Sequence, residues 1–278
     1  MEKFKPVLKF FGIFIVTIIA LIVIELFCRA VMDVLGVYVS RRVDSVIVAA
    51  GMFIVPVIVA WKYGLIDLPS EFRNSRDTLS KMALPILAGL LWFYADNHLV
   101  NLFDIQMPDE VQGPIDVRMH SPYGLFSVCI LKPVLEELMF RTVILGLMLR
   151  SGVKPWVAII LSAFLFGASH LNMCQFVHSG VGGLMLGFVY YKTNNVFATI
   201  IIHAIHNSWV TFLGLIMEGL EYTPDSSDKG LVVKLISVSL MVAFASASIL
   251  IMKRFISRYP QPQFVENEEP DEPVMEEY

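Results

Sequence analysis

Long uncharged apolar runs alternate with short charged segments along most of this chain. Residues 10–24 and 46–61 contain no charged side chain, and they lack the polar stripe every 3.6 residues that marks a helix on the surface of a soluble protein. A helix of about 20 apolar residues is long enough to cross the hydrocarbon core of a bilayer. Predicted spans lie near residues 9–31, 43–61, 82–103, 122–149, 155–172, 175–191, 195–217 and 231–252. The pattern therefore predicts an all-α, polytopic membrane protein with about eight transmembrane helices.

Composition agrees with this pattern. Of the 278 residues, 56% are hydrophobic and only 17% are charged, and the mean hydropathy is +0.67. These values disfavour a soluble all-α enzyme, whose helices would need polar faces. The net charge of -4 says little about partners, because much of the acid lies in one tail. No basic patch with interleaved aromatic residues occurs, so no nucleic-acid partner is predicted.

The charges between the predicted spans indicate how the chain is oriented. Lys and Arg accumulate in loops on the cytoplasmic side of a membrane. One side carries Lys3, Lys5, Lys9, Lys62, Arg73, Arg76, Lys81, Arg150, Lys154, Lys192, Lys253, Arg254 and Arg258, and the other carries Arg41, Arg42, Arg118 and Lys229. This alternation requires an even number of spans, so both termini are predicted to be cytoplasmic. No small-residue cleavage site follows the first span, which is therefore predicted to be a retained signal anchor.

The chain divides into three predicted parts. Residues 1–121 contain the N-terminal transmembrane helices, about three spans, and residues 122–258 contain the motif-bearing core and the last span. Residues 259–278 contain four prolines and seven acids with little to bury, so they are predicted to form a disordered, cytoplasmic tail. The simpler interpretation is a solubilising tail, and a docking segment for a cytoplasmic partner is the alternative.

The first polar motif within the apolar sequence is Glu136-Glu137-x-x-x-Arg141. A charged side chain at the centre of a bilayer costs roughly 2.5 to 3.5 kcal/mol, so such residues usually face a protein interior or a water-filled cavity. Glu137 and Arg141 are four residues apart on one helical face and are predicted to pair, whereas Glu136 points about 100° away and is expected to stay free. A free carboxylate in a dry pocket suits general-base catalysis. The alternative is a structural pair of acids bound to Arg141 and Lys132.

Two further motifs place histidines on apolar helices. Phe166 and His170 share one face, and His170 could be a proton carrier, a metal ligand or a packing residue pressed against another span. His203 and Asn207 share another face and offer two donors in the same direction, which suits an oxyanion. They could equally make hydrogen bonds between helices. His206 lies on the same stripe and is predicted to be structural.

Other polar residues in the predicted spans have no assigned role. His178 lies on a glycine-rich span and could support the same cavity from outside it. Asp96, Asn97 and His98 form a polar group in the third predicted span.

The order of the three motifs resembles that of a known family. Glu-Glu-x-x-x-Arg, Phe-x-x-x-His and His-x-x-x-Asn on successive membrane helices are typical of the CAAX-protease and bacteriocin-processing family of intramembrane glutamate proteases, also called the Abi family. The resemblance covers about residues 122–217, and all three motifs are present without substitution. It implies an eight-helix membrane fold around an intramembrane catalytic cavity that opens to the cytosol.

The resemblance also implies a role for each motif residue. Glu136 would activate the hydrolytic water with help from His170, and His203 and Asn207 would stabilise the oxyanion. The supporting residues would be Glu137, Arg141 and Phe166. The predicted function is thus an intramembrane endopeptidase, a hydrolase that cleaves a membrane-associated peptide or protein within the lipid bilayer, in the plasma membrane of a bacterium. Prenylated CAAX proteins, peptide pheromones, bacteriocin leaders and membrane regulators are all compatible substrates.

Several alternatives remain open at this point. Neither a Gly-x-Ser-x-Gly motif nor a cysteine near the motifs offers a nucleophile, so activated water is expected to attack the peptide bond. His-Glu-x-x-His is also absent, so no metal or other cofactor is predicted. A zinc-dependent membrane metallopeptidase is the rival catalytic hypothesis, because one glutamate and two histidines could form a His2Glu site. The other hypotheses are a non-proteolytic scaffold or immunity protein with the same fold, and a transporter with a proton relay.

Overall fold

The computed structural model describes residues 54–66, 79–102, 107–108, 120–219 and 231–258, together with a few separate positions before residue 20. Over these residues every regular element is helical, which confirms the predicted all-α class. Residues 54–62 are helical. The helices that follow are α1 (Leu79–Leu102), α2 (residues 122–150), α3 (Pro155–Ala168), α4 (Met173–Thr193), α5 (Val196–Gly219) and α6 (Leu231–Arg258).

The helices α1 to α6 coincide with the last six predicted spans, with ends shifted by a few residues. Three segments are long and apolar enough to cross a membrane by length and composition: Met173–Thr193, Val196–Ile216 and Lys234–Ser257. Two shorter apolar segments are Met82–Asp96 and Pro155–Ala168. The described part of the chain thus gives fewer clear spans than the eight predicted. The first predicted span lies almost entirely outside the described residues. Part of the second span and the whole tail 259–278 also lie outside them.

Helix α2 is one helical stretch with two π-helical segments, Ser127–Leu131 and Leu138–Leu145, on either side of Lys132–Glu137. The first precedes Pro133, which has no N–H to donate and whose ring crowds the carbonyl four residues earlier. The Lys132 N–H donates instead to the carbonyl of Ser127, five residues back. π-helical turns are rare and occur frequently at functional sites. Here they flank the segment that carries both glutamates.

The carbonyls of the second π-helical segment accept hydrogen bonds from side chains. Ser162 of α3 donates its hydroxyl to the Phe140 carbonyl at 2.9 Å, and Arg150 donates from Nη2 to the Thr142 carbonyl at 3.2 Å. A buried carbonyl without a partner would cost about 1 to 3 kcal/mol. These contacts therefore stabilise the wider helix and attach α3 to it.

Small residues let α4 approach both α3 and α1 closely. A Cβ on Gly183 would lie 3.1 Å from the ring of Phe166, and one on Gly187 would lie 3.3 Å from Ile159, so both positions face α3. A Cβ on Gly182 would overlap the ring of Phe93 on α1. Small residues at helix interfaces are the usual means of close packing in membranes.

Two side-chain hydrogen bonds fix α1 against its neighbours. Trp92 donates its indole N–H to the Val181 carbonyl of α4 at 3.1 Å. Ser248 of α6 donates its hydroxyl to the Ala88 carbonyl at 2.7 Å. Together with the glycine contacts, they hold α1, α4 and α6 around an apolar cluster that includes Met185, Leu186 and Met252.

Short connections give the bundle two distinct ends. Residues 151–154 join α2 to α3 and residues 194–195 join α4 to α5, so these turns lie at one end, named here the 150–154 end. Residues 169–172 join α3 to α4 at the other, named the 169–172 end. There Asn172 caps α4 by accepting from the Gln175 N–H at 2.9 Å. Leu171 takes a left-handed conformation with φ of 57°.

The glycine contacts predict different effects of the same substitution at two positions of α4. Gly182→Ala pushes a methyl group into the Phe93 ring, which is itself packed in the core, and overpacking of this kind costs about 1 to 3 kcal/mol. Gly180→Ala meets no atom within 4 Å and gains helix propensity of up to about 1 kcal/mol. Thermal unfolding of the purified protein in detergent measures both. A Gly182→Ala variant as stable as Gly180→Ala would contradict the packing described.

Candidate active site

The buried Glu137 carboxylate joins two helices. Its Oε2 accepts from Arg141 Nε at 2.9 Å, as the i, i+4 spacing predicts, and its Oε1 lies 3.0 Å from Nδ1 of His203 on α5. Because an ionised carboxylate only accepts hydrogen bonds, Nδ1 carries the proton in this contact. The sequence did not predict the second partner. A carboxylate that holds one imidazole nitrogen fixes the orientation of the ring, as in hydrolases with catalytic triads.

Arg141 is fully buried and contacts three parts of the site. Besides Glu137, it donates from Nη1 to the hydroxyl of Ser162 on α3 at 3.3 Å. Its guanidinium carbon lies 5.1 Å from the centre of the Phe166 ring, within range of a cation–π contact. Arginine thus connects α2 to α3 while it balances the charge of Glu137.

Glu136 is not the free carboxylate that the helical geometry led us to expect. Its Oε1 lies 3.4 Å from Nζ of Lys132, one turn earlier on α2, and its Oε2 lies 3.7 Å from Nε2 of His203. The prediction was wrong because Lys132 shares the Glu136 face at i, i+4, the spacing at which side chains meet on a helix. The Glu136 side chain is buried, whereas the Lys132 side chain is 40% exposed. The second distance exceeds that of a hydrogen bond.

Four charged groups in the middle of α2 balance one another. The carboxylates of Glu136 and Glu137 face the cations of Lys132 and Arg141, and each pair is an i, i+4 contact. An unpaired buried charge costs several kcal/mol, so a set with no net charge is far less costly in an apolar bundle. His203 then lies between the two carboxylates, with one ring nitrogen toward each.

Phe166 lies against most of the site. Its ring centre is 5.7 Å from that of His203, 5.3 Å from that of His170 and 5.0 Å from that of Phe140. The rings meet edge to face or tilted, arrangements that aromatic pairs prefer. Phe166 therefore packs beside the candidate residues and sets the spacing between α3 and α5.

His170 follows the end of α3 and is half-buried. Its Nδ1 lies 3.0 Å from the Phe166 carbonyl, and its Nε2 lies 3.5 Å from the hydroxyl of Ser179 on α4. Because a carbonyl can only accept, Nδ1 is the protonated nitrogen and Nε2 has a lone pair. The contact with α4 agrees with the expectation that His170 is pressed against another helix.

Asn207 lies one turn after His203 on α5 and contacts the start of α2. Its Nδ2 donates to the Val128 carbonyl at 3.1 Å. One of its two amide hydrogens is therefore used within the protein, as is the Nδ1 hydrogen of His203. The sequence predicts that these two side chains offer donors in the same direction, and in the structure each of them also makes one hydrogen bond within the protein.

An open apolar groove of about 340 Å³ lies between the start of α2 and the second half of α5. Its lining residues are Leu125, Phe126, Cys129, Ile130, Ser208, Thr211, Phe212 and Leu215. Cys129 and Ser208 are the chain neighbours of Val128 and Asn207, so the groove begins where those two residues are hydrogen bonded.

A second polar cluster, formed by Asp96, His178 and His206, lies on three helices. Asp96 Oδ2 is 2.7 Å from Nδ1 of His178, and Nε2 of His178 is 3.0 Å from Nε2 of His206. The His206 ring stacks on Phe93 with ring centres 4.1 Å apart. Each of these polar residues stands out in the sequence because it lies in an apolar helix, but the sequence did not predict that they contact one another. Their contacts depend on how α1, α4 and α5 pack together.

A family model matches the part of the chain that carries the three motifs. Residues 119–209, which contain every candidate site residue, match the model described as type II CAAX prenyl endopeptidase Rce1-like. This agrees with the family resemblance of the three motifs. In the residues that the structure describes, no group of three or more His, Cys, Asp or Glu side chains could hold a metal ion.

One curated relative is also similar over part of its length. The Bacillus subtilis (strain 168) protein described as "Putative membrane peptidase YdiL" is 25% identical over 107 residues, which is 38% of this chain and 43% of the relative. The match therefore spans less than half of that protein. No solved structure matches the chain significantly.

The contacts of Arg141 predict the cost of its removal. Arg141→Met leaves the Glu137 carboxylate buried without its cation, and breaking a buried pair in this way costs about 3 to 5 kcal/mol. Lys132→Met removes a cation whose side chain is 40% exposed, and the Glu136 carboxylate that it leaves still has His203 Nε2 3.7 Å away, so we expect a smaller loss than for Arg141→Met. Unfolding of the two purified variants in detergent measures the difference. Equal losses would contradict the central position of Arg141.

Proposed function

We propose that the protein is an intramembrane endopeptidase of the bacterial plasma membrane, because residues 119–209 match the model described as type II CAAX prenyl endopeptidase Rce1-like and contain all three motifs. It cleaves a peptide bond of a membrane-associated peptide or protein by glutamate-activated water. The observation that carries this proposal is the arrangement of His203 between two buried carboxylates. Glu137 holds one ring nitrogen at 3.0 Å, and the other faces Glu136 at 3.7 Å.

In the proposed reaction Glu136 acts as general base. It takes a proton from a water molecule as the water oxygen bonds to the carbonyl carbon of the substrate. The unprotonated Nε2 of His170 accepts a hydrogen bond from the same water and orients it. When the tetrahedral intermediate collapses, the C–N bond breaks and Glu136 returns the proton to the leaving nitrogen.

In the proposed reaction, Asn207 and His203 of α5 stabilise the oxyanion. Asn207 donates one amide hydrogen to Val128, and within the described part of the chain its second amide hydrogen has no acceptor. His203 contributes through Nε2–H, which requires a second proton on the ring because Nδ1–H is already donated to Glu137. Donors that face a developing negative charge in a dry site are worth about 10²- to 10³-fold in rate each.

Glu137, Arg141 and Phe166 position this machinery. Glu137 connects α2 to α5 through His203, and Arg141 connects α2 to α3 through Ser162. Phe166 packs against both His170 and His203. None of the three is required to touch the substrate. The proposal is metal-free, because both nitrogens of His203 already face carboxylates of different residues instead of converging on one point with other ligands.

The apolar groove supports a substrate with a hydrophobic segment. It is lined almost entirely by apolar side chains and begins beside Asn207. A membrane-embedded peptide could lie along it with its scissile bond near α5. This leaves prenylated and non-prenylated substrates equally compatible.

The proposal predicts the effect of one substitution at the base. Glu136→Gln keeps the size of the side chain but cannot accept the proton of water, so cleavage falls by roughly 10²- to 10⁴-fold. Quantitative peptidomics of membranes that contain the wild-type or the variant protein measures this. Glu276→Gln, the same chemical change in the C-terminal segment, serves as the matched control and leaves the cleavage products unchanged.

Two outcomes of that experiment would count against the proposal. If no product disappears with Glu136→Gln while another membrane protein still co-purifies, the protein is a non-proteolytic scaffold. If a chelator abolishes cleavage by the purified wild-type protein and zinc restores it, the reaction is metal-dependent. The proposal predicts that cleavage persists in the presence of the chelator.

A further inference from the structure

A buried carboxylate on α1 belongs to the second polar cluster and not to the candidate site. Asp96 is 2% exposed, and its Oδ2 lies 2.7 Å from Nδ1 of His178 on α4. Among the residues that the structure describes, Oδ1 of Asp96 has no hydrogen-bond partner. A buried polar atom without a partner costs about 1 to 3 kcal/mol. Local arrangements that lower stability in this way are expected mainly at functional sites, so the cluster is a candidate for a role in the reaction.

The cluster continues from α4 to α5 through its two histidines. Nε2 of His178 lies 3.0 Å from Nε2 of His206. Two imidazole nitrogens approach this closely when a single proton lies between them, so one ring donates and the other accepts. A buried polar contact of this kind is satisfied in only one register of packed helices. The chain of contacts from Asp96 to His206 therefore fixes α1 and α4 against α5.

Phe93 connects this cluster to the candidate site. It is buried on α1, one turn before Asp96, and its ring stacks on that of His206 with the centres 4.1 Å apart. The same ring lies 6.5 Å from the ring of His203, at an angle of 22°. This distance is within the range over which aromatic rings attract each other. Phe93 thus packs against two histidines that are one turn apart on α5.

Three side chains then restrict the ring of His203. Glu137 holds its Nδ1 at 3.0 Å, Phe166 meets the ring edge to face, and Phe93 lies nearly parallel to it. The first two contacts come from α2 and α3, and the third comes from α1. Without Phe93, one direction in which the ring can tilt would be left open.

Phe93 has little room to move by itself. An added Cβ on Gly182 of α4 would overlap the Phe93 ring, so the ring lies directly against the backbone of α4. Close-packed interiors have few voids that absorb a displacement and therefore transmit it. A shift of His206 would consequently move Phe93, and with it the neighbouring ring of His203.

We propose that Asp96, His178 and His206 are positioning residues of the candidate active site. They hold Phe93 against His203 and thereby keep the His203 ring where it can stabilise the oxyanion. This last step rests on the proposed function, whereas the contacts that lead from Asp96 to His203 do not depend on the reaction. None of the three residues is required to touch the substrate.

Magnetic resonance of the histidine ring nitrogens tests these contacts directly. The chain contains six histidines, so a protein prepared with isotope-labelled histidine gives few signals in detergent, each assigned by its loss in a single-substitution variant. Asp96→Asn keeps the size of the side chain and removes its charge. Ser248→Ala is the matched control, because it also removes a buried polar contact of α1, but one that faces α6.

We expect Asp96→Asn to shift the ring-nitrogen signals of His178, His206 and His203, and Ser248→Ala to leave the His203 signals unchanged. His206→Leu keeps the pair of Asp96 and His178, and it is measured in parallel in case Asp96→Asn does not fold. It is expected to shift the His203 signals as well. His203 signals that move in neither variant, or that move equally in Ser248→Ala, would overturn the proposal.

Kinetics separate positioning from a general loss of structure. The substrate is the peptide whose cleavage product disappears with Glu136→Gln. Because a displacement of about 1 Å can slow a reaction by up to about 10²-fold, kcat is expected to fall by about tenfold or more in Asp96→Asn. KM should stay within about twofold, as should both constants of Ser248→Ala. An unchanged kcat in Asp96→Asn would contradict the positioning role. If the wild-type protein cleaves nothing, the proposed function fails, and the His203 signals still decide whether the contacts position that ring.

Discussion

The arrangement of this site depends on one buried carboxylate with two partners. Glu137 accepts from Arg141 within its own helix and from His203 on α5. In an apolar bundle neither charge would be tolerated alone, so the pair determines where α2 can lie. Arg141 then extends the contact to Ser162 on α3. Three helices are positioned by a single anion, and the orientation of the His203 ring follows from it.

The backbone of α2 makes this arrangement possible. Pro133 removes one donor of the regular helical pattern, and π-helical turns on both sides of Lys132–Glu137 change the direction in which the following side chains point. Ser162 and Arg150 satisfy the carbonyls of the second π-helical segment. The glycines of α4 let α1 and α3 come close enough for Phe93 and Phe166 to pack against histidines.

Contacts within one helix could be predicted from the sequence, and most contacts between helices could not. The i, i+4 rule gave Glu137 with Arg141, and it also offered Lys132 with Glu136, which was considered only as a structural alternative. The pairing of His203 with Glu137 and the Asp96–His178–His206 cluster require the rotation and depth of each helix. The rotation and depth of the helices are set by glycine contacts and π-helical turns, which cannot be read from the periodicity of the sequence. The roles of the motif residues in catalysis remain proposals.

If Glu137 stabilises the fold and Glu136 is the catalytic base, replacing each of them with glutamine must affect stability differently. The most direct measurement is the free energy of unfolding in detergent for Glu137→Gln and Glu136→Gln, side by side. Glu137→Gln leaves Arg141 buried without its anion and is expected to lose about 3 to 5 kcal/mol. Glu136→Gln loses the ion pair with the partly exposed Lys132 and the charge that faces His203 at 3.7 Å, so a change of about 1 kcal/mol is expected. Equal losses, or a larger loss for Glu136→Gln, would contradict this division between the two carboxylates.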